Sequence, residues 1–336
     1  MKIDCYTHFS FETYLKYLER NSKTPFSYGT LFRYLKTMLD VDSRLALMEK
    51  YQVDKHVIIP LPWIESVKEV YEDSVKAHEA AKILNNELAN LVNKFSDKFI
   101  PVGVIPTTNI DIMLAEYERV IYNLKFKGIY LVVGPTVRPI DDSLYDSLFK
   151  KAVQDNVPVW LHPSRPITYS DYINESMSKY GIWQSIGWLM DSSTAMIRLT
   201  LSGAFEKYKG IKFIIHHHGA LIGLFSKRLN AGFRLFKNLE AFKSTTTITE
   251  PFIEHFKNFY VDTATQGFEP LLIQNAYMFF GIDHVLFGTD VPFDENGGYN
   301  FTNETICSIN SALISDADKE KIFYKNIVQI LNLKVS

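Results

Sequence analysis

Short apolar runs recur along the chain, separated by longer stretches whose apolar residues fall three or four positions apart. The runs cover 3–6, 56–60, 99–105, 128–133, 157–161, 211–215, 259–262 and 284–287. Runs of that length fit buried strands, and the spacing between them fits helices. In "SRLALMEKY", Leu45, Met48 and Tyr51 share one face, with Ser43 placed to cap it. In "IDIMLAEYERVIYNL", Ile112, Ala115, Tyr117 and Val120 repeat the pattern behind a capping Asn109. Eight strands alternating with helices imply parallel βαβ units, and eight such units close into a (β/α)8 TIM barrel. An open doubly wound sheet would need a Gly-rich phosphate loop after the first strand, and none is there.

Two segments are longer than a minimal barrel requires, at about 13–41 and 164–190. Both follow strands, so they are expected over the C-terminal mouth as lids or interface elements. Phe26 and Tyr28 belong to the first. Tyr180, Trp183 and Trp188 belong to the second, where core and subunit contact is the simplest role for them. The last segment, "ADKEKIFYKNIVQILNL", reads as a closing helix with Ile322, Ile327 and Ile330 facing in. The whole chain, 1–336, is read as one barrel domain.

Composition narrows the function. A net charge of −2 gives no general affinity for nucleic acid or anionic membrane. Two cysteines, Cys5 and Cys307, make no disulfide framework. No apolar run nears the roughly 18 residues of a membrane span, and "MKIDCYTHF" has no secretory pattern. A cytoplasmic enzyme is expected.

Barrel chemistry sits at the C-terminal strand ends. The first run ends in Tyr6-Thr7-His8, the fifth in "WLHPSRP" with His162, the sixth in His216-His217-His218, and the eighth in "LFGTDVPF" with Asp290. Topology gathers these on one rim, where imidazoles and a carboxylate suit a divalent transition metal. His56 and His284 start their strands, and His78 and His255 lie on helical patterns, so all four are expected to be structural. Strand alternation points His217 away from His216 and His218. One of the three should enter the mouth, and spacing alone does not say which. Asp262, ending the seventh run, is expected to cap the next helix.

In these motifs the chain resembles the amidohydrolase-related family, and within it the aminocarboxymuconate-semialdehyde decarboxylase-like group. The family's opening Asp-x-His-x-His is matched by "DCYTH", its His-Pro after strand five by His162-Pro163, and its Gly-Ser-Asp by "LFGTD". The segment from "MSKYGIWQ" to "HHHGALIGLFSKRL" is similar to the family's His-Gly-Gly-Gly region and the Arg that follows it. The resemblance implies that His217 is a catalytic acid/base. It implies that His8, His162 and Asp290 bind one divalent metal per chain, with zinc expected and manganese the alternative. Asp290 would also relay protons. Arg44 and Arg228 match positions that hold substrate carboxylates, the second reaching in from a partner subunit, which implies a homodimer.

The departures matter as well. Tyr6 replaces the family's first metal histidine; a phenol with a pKa near 10 is a poor ligand, so Tyr6 could ligate, donate a hydrogen bond, or mark a barrel without metal. Asp4 would orient neighbours of the site. Strand four, "GIYLVV", carries no lysine for a bridging carbamate, which argues against a binuclear centre. The expected function is a metal-dependent decarboxylase or hydrolase acting on a small carboxylated, unsaturated or aromatic molecule. The alternative is a metal-free, non-catalytic barrel.

Overall fold

Each of the eight apolar runs forms a strand in the computed structural model, which describes residues 1–334 apart from Glu250 and Thr265. They are β1 (Ile3–Thr7), β2 (Lys55–Ile58), β3 (Phe99–Val104), β4 (Gly128–Val133), β5 (Val159–Pro163), β6 (Phe213–Ile215), β7 (Tyr260–Asp262) and β8 (Val285–Leu286). The strands follow chain order and every neighbouring pair is parallel. The seam between β8 and β1 is closed by Cys5 N–H to Phe287 O (2.7 Å), Asp290 N–H to Tyr6 O (3.1 Å) and His8 N–H to Val291 O (2.8 Å). This is the expected (β/α)8 barrel.

Alternation along the strands divides the core in two. Val57, Ile59, Val102, Val104, Tyr130, Trp160, Ile214 and Leu286 pack together inside the barrel. Ile58, Ile129, Leu131, Val159, Leu161, Phe213, Ile215 and Val261 face outward into the layer shared with the helices. Trp160 is fully buried, and its indole N–H reaches across to Cys5 O at 3.1 Å. That ring explains Gly128 on the adjacent strand, where a Cβ would lie 2.2 Å from Trp160.

The first long segment forms helices Glu12–Asn21, Ser27–Tyr34 and Lys36–Leu39, and the second leads into helices Ile182–Ser185 and Gly187–Leu201. Ile322, Ile327 and Ile330 of the C-terminal helical segment are buried, and Phe287 N–H donates to Ile322 O at 2.9 Å. Asn109 caps its helix as expected, accepting from Asp111 N–H and Ile112 N–H. The cap of helix Val41–Tyr51 is Asp40 rather than Ser43, because the helix begins before Ser43, whose N–H donates to the Asp40 carboxylate.

Candidate metal centre and active site

The mouth of the barrel gathers side chains from β1, β5, β6 and β8. His8 and His162 are anchored alike: Nδ1 of His8 lies 2.7 Å from Ile59 O, and Nδ1 of His162 lies 2.6 Å from Pro163 O. Those carbonyls assign the ring proton to Nδ1 and leave Nε2 as a lone pair facing the mouth. Asp290 enters from the other side, with Oδ1 3.0 Å from His8 Nε2. A lone pair and an anionic oxygen at that distance repel unless a cation or proton lies between them. The donor set therefore fits a divalent metal on its own chemistry. His162 is held neutral, its pKa pushed well below the usual value by burial and by neighbouring His8 and His216.

Two of the three consecutive histidines reach this point. His216 keeps the inward face of Ile214. Its Nδ1 hydrogen-bonds the Asp262 carboxylate and its Nε2 lies 3.2 Å from Asp290 Oδ1. Strand β6 ends at Ile215, and residues 217–220 all have left-handed backbone, with φ of 59°, 56°, 71° and 55°. This turn cancels the expected alternation. It swings His217 back to the mouth, with Nε2 3.7 Å from Asp290 Oδ2. Burial and the adjacent His216 lower the His217 pKa, and neither ring nitrogen has a hydrogen-bond partner. His217 and His218 both line a cavity of about 150 Å³ shared with Gln184, Trp188, Gln266 and Asn275. Burial drops the His218 pKa to about 4.

Three participants escape a reading of motifs. His216 is one, hidden by its two neighbours, although counting inward from Ile214 finds it. Asp262 is the second: Oδ1 accepts from Ala264 N–H and His217 N–H, as a turn cap would, while Oδ2 orients His216. Gln266, in a loop with no local signal, donates its amide to Asp290 Oδ2 at 2.7 Å.

The remaining expected residues take definite places. The Tyr6 hydroxyl donates to Leu161 O at 3.0 Å, and burial drives its pKa well up, so it is a neutral donor. Asp4 accepts from Thr289 Oγ1 at 2.6 Å and from the N–H groups of Tyr6 and Thr289, tying β1 to the residue before Asp290. Burial raises its pKa to about 7. Arg44 departs from the expectation of a substrate contact. It is fully buried, and its donors go to Thr37 O (3.1 and 2.7 Å) and His8 O (2.5 Å). Burial lowers its pKa to about 9, partly opposed by Asp4. The guanidinium holds the backbone that carries His8 and presents no donor to the mouth. Arg228 is exposed on helix Ser226–Phe236, beside a groove lined by Leu224, Phe225, Met278 and Phe279, and reaches nothing in the mouth of its own chain.

The control histidines behave as expected. His56 is buried beside Arg44, His284 stacks on Tyr260 at 4.5 Å, and His78 and His255 pair with Glu116 and Glu206.

Aromatic rings wall the centre. Trp188 lies 5.6 Å and Trp63 6.4 Å from the His162 ring, both edge-on, and Phe293 lies 5.5 Å from His8. Trp63 has a left-handed backbone (φ 46°), rare for a bulky residue, and stacks on Tyr28 at 4.1 Å. The aromatic residues of both long segments thus cover the mouth, as a lid would.

Known proteins resemble this chain in sequence and in fold. A gamma-resorcylate decarboxylase of Polaromonas sp. is 26% identical over 315 residues, covering 88% of this chain and 89% of that protein. A 2-amino-3-carboxymuconate-6-semialdehyde decarboxylase of Dictyostelium discoideum is 23% identical, covering 91% and 80%. Among solved structures, 5-carboxyvanillate decarboxylase of Sphingomonas paucimobilis superposes with a TM-score of 0.82 at 21% identity, covering 99% of both chains. A dihydroxybenzoic acid decarboxylase of Polaromonas sp. with bound manganese and 2-nitroresorcinol gives 0.81 at 23% identity, covering 100% and 98%. The amidohydrolase family model matches residues 64–333, well over half of the sequence. The chain belongs to the amidohydrolase family.

Proposed function

We propose that this enzyme is a divalent-metal-dependent decarboxylase of small aromatic carboxylates. The observation that carries the reading is the convergence on His8 of Asp290, 3.0 Å from its Nε2, and of His162, with ring centroids 5.3 Å apart, walled by Trp63, Trp188 and Phe293. Flat apolar walls suit a ring, and the centre beneath them suits an anionic substituent. Relatives and structural neighbours acting on resorcylate and carboxyvanillate support the same class. The metal-free alternative is not favoured, because the relatives are decarboxylases and a neighbouring structure of the same class holds manganese.

His8, His162 and Asp290 would hold the ion. Manganese is the proposed metal in place of the expected zinc, supported by manganese in two neighbouring decarboxylases. When bound, such an ion neutralises and orients the substrate carboxylate as a Lewis acid. His217, free of hydrogen-bond partners and facing the cavity, holds the proton that the ring carbon must gain as its bond to CO₂ breaks. Asp290 Oδ2, steadied by Gln266, lies beside His217 as an anionic neighbour that favours the protonated ring, and solvent replaces the proton after each turnover. The balance is one proton consumed and one CO₂ released for each carboxylate lost.

We also propose a homodimer in which Arg228 approaches the partner's mouth. Its groove and the exposed Leu224, Phe225, Leu235 and Phe236 form an apolar face of the kind that marks subunit contacts. A cytoplasmic location is supported by the two unpaired cysteines. Among the described residues no helix is long and apolar enough to cross a membrane.

The test is incubation of the manganese-loaded protein with dihydroxybenzoates and carboxyvanillate, following CO₂ release. Turnover of at least one supports the reading. No CO₂ release, with hydrolysis of an amide or lactone substrate instead, would move the enzyme to the hydrolases of its family.

A further inference from the structure

The family's opening pair of histidines is here Tyr6 and His8, so β1 supplies one imidazole where two are expected. Tyr6 does not stand in for the missing one, because its hydroxyl is spent on Leu161 O. An imidazole from elsewhere occupies the neighbouring space. The ring of His216 lies flat on the ring of Tyr6, with centroids 3.9 Å apart and planes 8° from parallel. The ring nitrogens of His8, His162 and His216 facing the centre lie within 4.8 Å of one another. His216 Nε2 is fully buried and makes no hydrogen bond, although Asp290 Oδ1 is 3.2 Å away. Its other nitrogen is engaged by the Asp262 carboxylate, the partner that commonly orients a metal-bound histidine and fixes its tautomer.

We propose that His216 is a ligand of the metal, replacing from β6 the imidazole that β1 has lost, so that His8, His162, His216 and Asp290 form the binding set. This rests on the metal-dependent reading above. Tyr6 acts as a flat support that fixes the plane of the His216 ring. Asp262 is a positioning residue, acting through His216 without touching the ion. Three imidazoles and a carboxylate restore the donor count that the change at position 6 would otherwise reduce. The competing arrangement makes His216 an imidazolium clamped between Asp262 and Asp290, with no bond to the ion.

Metal affinity and ligand count separate the two without reference to activity. The first measurement is manganese affinity by chelator competition for wild type, His216→Gly, and the double variant His216→Gly/Tyr6→His. The proposal expects at least a roughly 10- to 100-fold loss in the single variant and recovery of most of it in the double variant, where the imidazole returns to β1. The second measurement is proton NMR of the wild-type protein loaded with cobalt(II), which displays the N–H of each coordinated imidazole as a strongly shifted exchangeable signal. Three such signals are expected, from His8, His162 and His216. Two signals, or wild-type affinity in His216→Gly, would overturn the proposal even if the double variant failed to fold. A wild-type protein that binds neither manganese nor cobalt would overturn the metal-dependent reading itself.

Discussion

Replacing Arg44 with methionine distinguishes a frame residue from a substrate contact. Methionine fills much of the space of the arginine stem, so the change removes the guanidinium with little new cavity. Two buried carbonyl oxygens, Thr37 O and His8 O, then lose their donors. Each buried acceptor left unpaired costs about 1–3 kcal/mol. The contact of the guanidinium with the Phe9 ring, 5.6 Å away, is lost as well, a cation–π term of at least about 0.5 kcal/mol. The expected destabilisation is about 4 kcal/mol. With an unfolding entropy of about 2 cal/mol/K per residue, the 336-residue chain has about 0.7 kcal/mol/K in total, so Tm should fall by about 6 °C. Differential scanning calorimetry of the metal-loaded protein measures this directly. Metal affinity should fall too, because the His8 backbone loses its clamp. If Arg44→Met leaves Tm and metal content unchanged while KM rises tenfold or more, the guanidinium contacts substrate and the structural assignment is wrong.

The other predictions are narrower. Tyr6→Phe removes one buried hydrogen bond, to Leu161 O, and should cost about 1 kcal/mol with metal content by elemental analysis unchanged; a loss of metal would make the phenol a ligand. His217→Ala should keep its metal and nearly all its stability while kcat falls about 10²- to 10⁴-fold; wild-type turnover would remove His217 from the proton path. Stripping the metal should abolish turnover and lower Tm by several degrees, since an ion at 100 times its Kd contributes about 2.7 kcal/mol; the same Tm with and without manganese would mean the centre is not built around an ion. Leu224→Glu on the exposed apolar face should shift the species seen in light scattering from dimer to monomer; a monomeric wild type would contradict the proposed assembly.

The barrel was legible because burial inside and outside a strand leaves a written period. All eight runs became strands, with ends displaced by no more than two residues. His8, His162 and Asp290 were legible for the same reason, since each ends or follows a strand on the rim that carries barrel chemistry. The histidine triplet was not. Alternation applies only while the strand lasts, and β6 stops at Ile215. The four left-handed residues that follow bring His217 inward beside His216, which no periodicity anticipates. Arg44 shows the opposite failure. Its helix position matched a family pattern, yet helix Val41–Tyr51 turns that side chain beneath His8, where burial decides its role. Gln266 carried no signal, because its contact with Asp290 depends on how a loop folds over the mouth.

The seam of the barrel and its chemistry share the same hydrogen bonds. Asp290 sits in a left-handed conformation, φ 63°, which aspartate tolerates better than most residues other than glycine but which the surrounding structure must still hold. The constraint is the closure of β8 onto β1: its own N–H is held by Tyr6 O, and Thr289 before it is held by Asp4. That conformation aims one carboxylate oxygen at His8 and His216 and the other at His217 and Gln266. A slip in β1–β8 pairing would therefore open the barrel and misdirect the carboxylate at once. Stability and activity should be coupled along this seam more tightly than anywhere on the opposite wall. There, β3 and β4 contribute packing, and none of the metal-facing groups comes from them.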